Sequence, residues 1–184
     1  MLVKEWMTPA PHVPAAASVG EARERAEAGN LAVLFVVDDR GRLKGFLTRR
    51  ALASAPSPEL PVEKVLTPPQ DVLTPDDPIE RAAVLLGHYL VLPVVDGERH
   101  LVGALSKDRL LQALAHLAAL GEEGLRIRLR PRAPGEVYRA LAVLAAEQAE
   151  LVAVLRGFEG EVILHVQGVR DPQGLRQKLE EALR

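Results

Sequence analysis

Hydrophobic positions along the chain follow a pattern that occurs twice. An almost unbroken apolar run covers residues 31–37, and a second covers residues 89–95 with one interruption at Pro93. Runs of this length predict strands that are buried on both faces. Each run continues through a polar turn, 38–41 in the first copy and 96–99 in the second, into another short strand. Each copy therefore predicts a β-hairpin.

Helix signals flank each hairpin. Ser18 and Glu21 have the spacing of a capping box and predict a helix that runs to about Ala28. In the second copy, Asp77 as the cap and Pro78 at the first helical position predict the corresponding helix. Another helix follows each hairpin, so both copies predict the order β-α-β-β-α.

The two copies are related by a constant offset. Val36-Val37-Asp38 recurs 58 residues later as Val94-Val95-Asp96, and Gly45 recurs as Gly103 at the same offset. A fixed period with matched residue types indicates a duplicated supersecondary unit. Residues 53–61, which are rich in proline and small side chains, predict a linker between the copies.

The pattern changes after the second copy. Residues 125–130 alternate between apolar residues and arginine, which is the period of a strand with one buried and one exposed face. A helix, a hairpin and a final helix capped by Asp171 follow. The sequence therefore predicts an α/β (α+β) protein with repeats at 1–60 and 61–120 and a third β-α-β-β-α unit at 125–184.

Composition narrows the class of protein. Apolar residues make up 48% of the 184 positions and aromatic residues only 3%, so the cores must consist of Leu, Val and Ala. The absence of cysteine excludes disulfides and thiolate chemistry and fits a reducing compartment. The formal net charge of -2 gives no general attraction to nucleic acid. With no apolar stretch long enough to span a bilayer, we expect a cytoplasmic protein without membrane or nucleic-acid partners.

Signals for catalysis and metal binding are missing from the sequence. It contains no Gly-x-Ser-x-Gly, no Gly-x-Gly-x-x-Gly, no P-loop and no cysteine nucleophile. The histidines show no His-x-x-x-His spacing and no accompanying acid cluster. They are His12, His88, His100, His116 and His165. We therefore predict that the protein is not an enzyme and holds no metal.

A row of arginines lies on one face of the first strand of the third unit. The row consists of Arg126, Arg128, Arg130 and Arg132. One interpretation is a stripe that binds anions or nucleic acid, but single-stranded nucleic-acid sites usually add stacking aromatics, and none is interleaved here. A solvated or subunit-contacting sheet face is favoured.

The duplicated unit resembles the CBS domain, which occurs in tandem as a Bateman module. The resemblance is carried by Met7-Thr8-Pro9, by the Leu-Pro-Val-Val-Asp motif at 92–96, and by the Gly-apolar-apolar-hydroxyl endings at 45–48 and 103–106. The third unit resembles an ACT domain, a ferredoxin-like α/β sandwich, because Ala133-Pro134-Gly135 lies at its first strand-to-helix turn. This order of units is similar to the acetoin-utilisation B (AcuB) family.

The resemblance implies a regulatory module that binds an adenine nucleotide or related ligand, such as AMP, ADP, ATP or S-adenosylmethionine, between its repeats. In such pairs the base lies near the opening strand and the Leu-Pro-Val strand, which here contributes Leu92 and Val94. A hydroxyl at the start of the helix after each hairpin holds ribose and phosphate, and the matching residues are Thr48 and Ser106. Both hydroxyls have an alternative role as helix caps alone.

The aspartate that the resemblance places three residues after each hydroxyl is missing. Ala51 and Arg109 occupy those positions. Asp108 lies one residue early, which rotates it by about 100° around the helix; its alternative role is to complement the helix dipole. Arg50 and Lys107 are the candidate phosphate contacts.

Three hypotheses about function remain open on the sequence. The first is a non-catalytic sensor with an unidentified regulated protein as partner, in which Gly135 either admits an amino-acid ligand or only satisfies its turn. The second is a dimerisation module with degenerate nucleotide sites. The third, an enzyme of acetoin metabolism, is suggested only by the family's name. A homodimer is expected because apolar helix positions such as Leu110, Leu114 and Leu117 need cover.

Overall fold

The computed structural model describes residues 1–183 and divides the chain into two compact units, Met1–Ala113 and Leu114–Arg184. The first unit contains both repeats. Its elements are β1 (His12–Pro14), α1 (Val19–Ala28), β2 (Val33–Val37), β3 (Leu43–Thr48), α2 (Arg49–Ser54), α3 (Ile79–Leu85), β4 (Val91–Val95), β5 (Leu101–Ser106) and α4 (Lys107–Leu117), with α4 extending past the boundary. The predicted α/β class and the duplication are confirmed, since β4 and β5 begin 58 residues after β2 and β3.

The two repeats form similar sheets that differ at their opening strands. In the first repeat the order is β1-β2-β3, with β1 parallel and β3 antiparallel to β2. In the second repeat β4 and β5 form an antiparallel pair. The predicted opening strand is reduced there to a single parallel bridge between Leu73 and Val94.

An aspartate holds the hairpin turn of each repeat in the same way. The side chains of Asp38 and Asp96 each accept hydrogen bonds from the backbone N–H groups two and four residues later, at 2.9 and 2.8 Å in both repeats. The bond from the residue four positions later is the main cause that lowers the pKa of each carboxyl. The aspartate of each Val-Val-Asp motif is therefore explained by its turn.

The opening segment of each repeat crosses onto the sheet of the other. Thr67 exchanges two backbone hydrogen bonds of 2.9 Å with Phe46 of β3, and Thr8 does the same with Ala104 of β5. Gly45 and Gly103 lie beside these crossings, where a side chain would collide with the crossing segment. The repeats are thus paired by main-chain hydrogen bonds as well as by apolar contacts.

The predicted cap of α3 is wrong. Pro78 is the N-cap residue, in an extended conformation with ψ of 144°, so the helix begins at Ile79 and ends at Leu85. The Asp77 side chain instead binds Thr74, in the loop before the helix, and Arg81. Its carboxylate accepts from the Thr74 N–H at 2.7 Å and from the Arg81 guanidinium. Burial raises the pKa of Asp77, but these bonds outweigh burial and lower it overall.

Substitution of Asp77 should show how much its hydrogen bonds contribute to the stability of the fold. Asp77→Ala is expected to lower the free energy of unfolding by about 2 kcal/mol at neutral pH, because the carboxylate is buried and its bonds involve a charged group. A lowered folded pKa gives stability that is present above the unfolded value of about 3.9 and is lost as the pH falls through the folded value. Denaturant unfolding at several pH values should therefore show the difference from the parent shrinking below about pH 4.

Asp76→Ala is the matched control for this experiment. Among residues 1–183 Asp76 pairs with Lys4 alone, and both side chains are largely exposed, so its loss should cost less than about 0.5 kcal/mol. Equal effects of the two substitutions, or a difference for Asp77→Ala that persists in acid, would contradict the assignment.

The second unit has the predicted β-α-β-β-α order. It consists of β6 (Leu125–Leu129), α5 (Pro134–Ala146), β7 (Glu150–Arg156), β8 (Val162–Gln167) and α6 (Pro172–Ala182). The antiparallel sheet has the order β6-β8-β7. Both helices pack on one face of it, around a core that includes Leu144, Leu164 and Leu179. Asp171 caps α6 as predicted, by accepting from two backbone N–H groups.

The burial pattern corrects one prediction about apolar faces. Leu110 of α4 is only 7% exposed, so it is covered within the chain and does not need a partner. On α5, Ala145 is exposed while Ala140 is buried. The difference arises because α5 rests on the sheet through Ala140 and Leu144, which lie four residues apart on one stripe.

Candidate functional site

A cavity of about 190 Å³ lies between the two repeats, within the first unit. Its lining is drawn from β2 and β3 of the first repeat and from the opening segment and β4 region of the second. The lining residues are Val33, Phe35, Phe46, Thr48, Pro69, Gln70, Asp71, His88, Tyr89, Leu90, Val91, Leu92 and Pro93. Because these elements are distant in sequence, the cavity exists only when the repeats are paired.

The walls of the cavity are mainly apolar. Phe35 and Leu92 are each 2% exposed and are anchored in the strands behind the cavity. Phe35 also belongs to a buried cluster that includes Val95 of the second repeat, so the wall is supported from both sides. A rigid apolar wall of strand residues suits a flat aromatic ring better than a flexible polar chain.

Four polar side chains of the lining provide directional contacts, namely those of Thr48, Gln70, Asp71 and Tyr89. The Tyr89 hydroxyl donates to Asp71 Oδ2 at 2.8 Å and lies 3.4 Å from Gln70 Oε1. The hydrogen bond to Asp71 raises the pKa of the Tyr89 hydroxyl, which remains a donor at neutral pH. The Thr48 hydroxyl accepts from the Ala51 N–H at 3.1 Å and caps α2, which leaves its own hydrogen available for a ligand.

The cavity lacks a permanent positive charge. Among its lining residues, Asp71 is the only acidic side chain, and no lysine or arginine is present. A phosphate placed inside would lie near the Asp71 carboxylate without a neutralising partner. Polyanionic groups of a ligand must therefore extend outside the cavity.

Of four predicted ligand residues, Thr48, Arg50, Leu92 and Val94, the structure brings only two to the cavity. Thr48 and Leu92 line the cavity on opposite repeats. Val94 is fully buried farther along β4 and is not part of the lining. Arg50 is exposed on the first turn of α2, outside the lining.

The predicted residues at the start of α4 lie outside this cavity. Ser106 accepts from the Arg109 N–H at 3.3 Å, which is the predicted capping role, while Asp108 is exposed and Lys107 half-buried. Arg109, at the expected aspartate position, donates to the Trp6 carbonyl at 3.1 Å, and its guanidinium lies 5.8 Å from the centre of the Trp6 ring. Arg109 therefore ties the N-terminal segment to α4.

Gly135 belongs to the second unit. It is exposed on the first turn of α5, and no atom lies within 4 Å of the place where a Cβ would be. Packing within the unit therefore does not require glycine there, and its role toward a ligand remains a prediction.

Asp71, Gln70 and Tyr89 are cavity residues that the sequence predictions missed. Asp71 lies four residues after Thr67 of the second Thr-Pro motif. The matching position in the first repeat, four residues after Thr8, is His12. This difference between otherwise matched copies could have marked Asp71 as a candidate, because the opening segment of each repeat lies on the sheet of the other.

Neither a metal cluster nor a membrane segment is present in the described part of the chain. Within residues 1–183 no group of three or more acidic or histidine side chains is arranged to hold a metal ion. None of the helices in the same range combines the length and apolar character needed to cross a bilayer.

Comparison with known proteins gives a family match over both repeats. The sequence model of the family described as CBS domain matches residues 3–57 and 62–116, which together are more than half of the chain. A curated relative is the magnesium transporter MgtE of Thermus thermophilus, 37% identical over 94 residues. That alignment covers 50% of this chain and 21% of the transporter, so the chain spans about a fifth of the relative's length.

Three solved structures illustrate the similarity. A CBS domain pair/ACT domain protein from Thermotoga maritima has a TM-score of 0.59 and 30% identity over 66% of this chain and 100% of that chain. The cytosolic domain of the Mg²⁺ channel MgtE in complex with ATP has a TM-score of 0.53 and 34% identity over 59% and 46% of the two chains. A CBS domain pair in complex with 5′-methylthioadenosine and S-adenosyl-L-methionine has a TM-score of 0.55 and 25% identity over 63% and 97%.

Proposed function

The chain belongs to the CBS domain family, and on that premise we propose that it is a non-catalytic regulatory protein that binds an adenine nucleotide or related ligand between its repeats. The observation that carries the proposal is the cavity with apolar strand walls and the polar group Thr48, Asp71 and Tyr89 at its surface. Relatives solved with ATP or with S-adenosyl-L-methionine support this ligand class.

Each part of an adenosine ligand has a suitable counterpart in the cavity. The apolar walls formed by Phe35, Val91 and Leu92 would cover the faces of the base. The Asp71 carboxylate would accept hydrogen bonds from ribose hydroxyls, the task that the missing aspartates perform in the family resemblance. Thr48 would donate its free hydroxyl hydrogen to the ligand. Asp71 thus compensates for Ala51 from the opposite repeat.

Regulation follows from the position of the ligand. A molecule held by residues of both repeats stabilises the arrangement in which those residues are close together, and it shifts the protein toward that state by its difference in affinity for the two states. A regulated partner would then recognise the favoured arrangement.

Calorimetric titration with AMP, ADP, ATP and S-adenosylmethionine tests the proposal. We expect S-adenosylmethionine, whose sulfonium is cationic, to bind more tightly than ATP, because the lining contains the acidic side chain of Asp71 and no lysine or arginine. Thr48→Val should weaken the best ligand by about tenfold, the equivalent of one hydrogen bond of about 1.4 kcal/mol. Ser106→Val is the control, since Ser106 has the same capping role outside the cavity. Silence for all four ligands would remove the proposal.

The second candidate function is a dimerisation module without a ligand. It is favoured by the absence of both expected aspartates and by apolar side chains on helix surfaces, among them Val84 at 73% and Leu111 at 64% exposure. A homodimer that covers these side chains is compatible with either candidate. The calorimetric titration separates them, because a module without a ligand site would bind none of the four compounds.

Three further parts of the proposal concern the identity of the second unit, the metabolic role and the cellular location. An ACT-like identity for the second unit is supported by its β-α-β-β-α order and by the similarity to a CBS domain pair/ACT domain protein. The link to acetoin utilisation is supported by the order of units, and the cytoplasmic location by the absence of cysteine. Magnesium transport is not proposed, because the match covers only 21% of the transporter.

A further inference from the structure

The sheet of the second unit has two edge strands, β6 and β7, and the edge of β6 lies beside a groove. The order β6-β8-β7 places β6 at an edge, and no other described residue pairs with its outer side. A groove of about 920 Å³ runs beside this edge, between β6 and α6. An exposed strand edge presents alternate N–H and C=O groups and is a template for a further strand.

The side of the groove formed by α6 is apolar and prearranged. Leu175, Leu179 and Leu183 follow one another at intervals of four residues and form a single row beside β6. Leu175 and Leu179 are already buried in the unit's core, so a further strand would gain mainly from main-chain hydrogen bonds and from charge. The edge of β6, with five residues, offers roughly 16 Å for pairing.

The opposite side of the groove is strongly basic. Its arginines are Arg126, Arg128, Arg130 and Arg132, while a fifth arginine of the lining, Arg176, belongs to α6. Within residues 1–183 the side chains of Arg128 and Arg130 make no hydrogen bond or ion pair, whereas Arg126 donates to the carbonyls of Ala118 and Ala119. The one acidic residue of the lining, Glu180, is bonded to Arg176 at 3.0 Å. The arginines of β6 therefore have no acidic partner in the lining.

The β6 strand of a second copy does not complement this edge. If β6 paired with β6 of another molecule so that the apolar side chains shared one face, arginines would stand opposite arginines, which is destabilising. A shift of one residue would avoid that contact only by turning the arginines toward the apolar face. Charge therefore selects a different strand.

We propose that the edge of β6 binds an extended acidic segment of a partner protein as an additional strand of the sheet. Alternate apolar side chains of that segment would lie toward α6, and alternate Asp or Glu side chains would face Arg128 and Arg130. Main-chain hydrogen bonds supply the affinity of such strand addition, and the side-chain alternation supplies its selectivity. The inference concerns the second unit and does not depend on a ligand in the first.

The test uses fluorescence anisotropy of the full chain with labelled peptides about nine residues long, a typical strand length. One peptide alternates valine and glutamate, and the second has the same composition with all valines before all glutamates. A third replaces glutamate with lysine. We expect the alternating acidic peptide to bind at least about tenfold more tightly than the other two, since only it places every acid beside an arginine.

Two double variants of the same charge assign the site. Arg128→Glu with Arg130→Glu should weaken the alternating peptide at least about tenfold by reversing two contacts. Arg156→Glu with Arg170→Glu, which changes exposed arginines away from the groove, should change the affinity less than about twofold. Circular dichroism and melting curves confirm that both variants are folded.

Four results overturn the proposal. They are no binding of the acidic peptide, equal binding of the alternating and blocked peptides, equal weakening by the two double variants, and stronger binding of an oligothymidylate of similar length that displaces the peptide. Displacement by the oligothymidylate would indicate that the arginines bind phosphate groups and not acidic side chains. A fifth contrary result would be a concentration-dependent dimer that dissociates when Arg128→Glu and Arg130→Glu are introduced together. That result would assign the edge to a second copy.

Discussion

Gly45→Ala is expected to destabilise the first unit by about 2–3 kcal/mol. A Cβ at this position would lie 2.6 Å from the Thr67 carbonyl oxygen and 2.7 Å from a methyl carbon of Leu66. The oxygen is main chain and accepts a 2.9 Å hydrogen bond from the Phe46 N–H, so it cannot move away without breaking the pairing between the repeats. Denaturant unfolding of the full chain measures the loss.

The other glycines provide graded controls for this prediction. At Gly103 the nearest atom to a Cβ would be the flexible Met7 sulfur at 2.9 Å, with the Thr8 carbonyl oxygen at 3.1 Å. Gly103→Ala should therefore cost about 1 kcal/mol. Gly97→Ala meets no atom within 4 Å and should be nearly neutral. If Gly45→Ala proved no more harmful than Gly97→Ala, the crossing of residues 66–67 onto β3 would be wrong.

Val91→Phe is expected to reduce ligand affinity at least about a hundredfold, which is about 2.7 kcal/mol. Val91 lines the 190 Å³ cavity from β4, and an added ring would occupy the space that the proposed base requires. The substitution keeps the residue apolar, and valine here is only partly buried, so the fold should survive. Calorimetry with the best ligand of the parent chain measures the change.

Val102→Phe is the matched control for the cavity. Val102 is 40% exposed on β5 and lies outside the lining, so the same change should leave the affinity unaltered. Melting curves of both variants check that the repeats remain folded. Normal affinity in a folded Val91→Phe chain would place the ligand elsewhere and exclude this cavity as its site.

Much of the fold was predictable because its signals are local. The 58-residue offset, the polar turns and the apolar runs each depend on a few neighbouring residues, and β2, β3, β4 and β5 follow them closely. Ser18 forms the predicted capping box with Glu21. The cap of α3 was mispredicted because the Asp77 side chain is drawn to Thr74 and Arg81 instead of the helix N–H groups. Competition between such partners is not visible in a spacing rule.

The candidate site was less predictable. Thr48 and Leu92 were named because they belong to repeated motifs. Asp71 and Tyr89 carry no motif, and they become neighbours, 2.8 Å apart, only when the opening segment of the second repeat lies beside β4. The same limit applies to β6, whose alternation predicted one basic face but not that its outer edge would be unpaired.

The sequence alone determined that this protein is a duplicated α/β unit followed by a third unit of the same element order, because hydrophobic period, turn residues and helix caps act over a few neighbouring residues. The tertiary structure decided which chemical groups meet. Pairing of the two repeats forms the cavity and brings Thr48 of the first repeat and Asp71 of the second into one lining. Such contacts join residues far apart in the chain, and their formation depends on main-chain crossings that leave room for no side chain at Gly45.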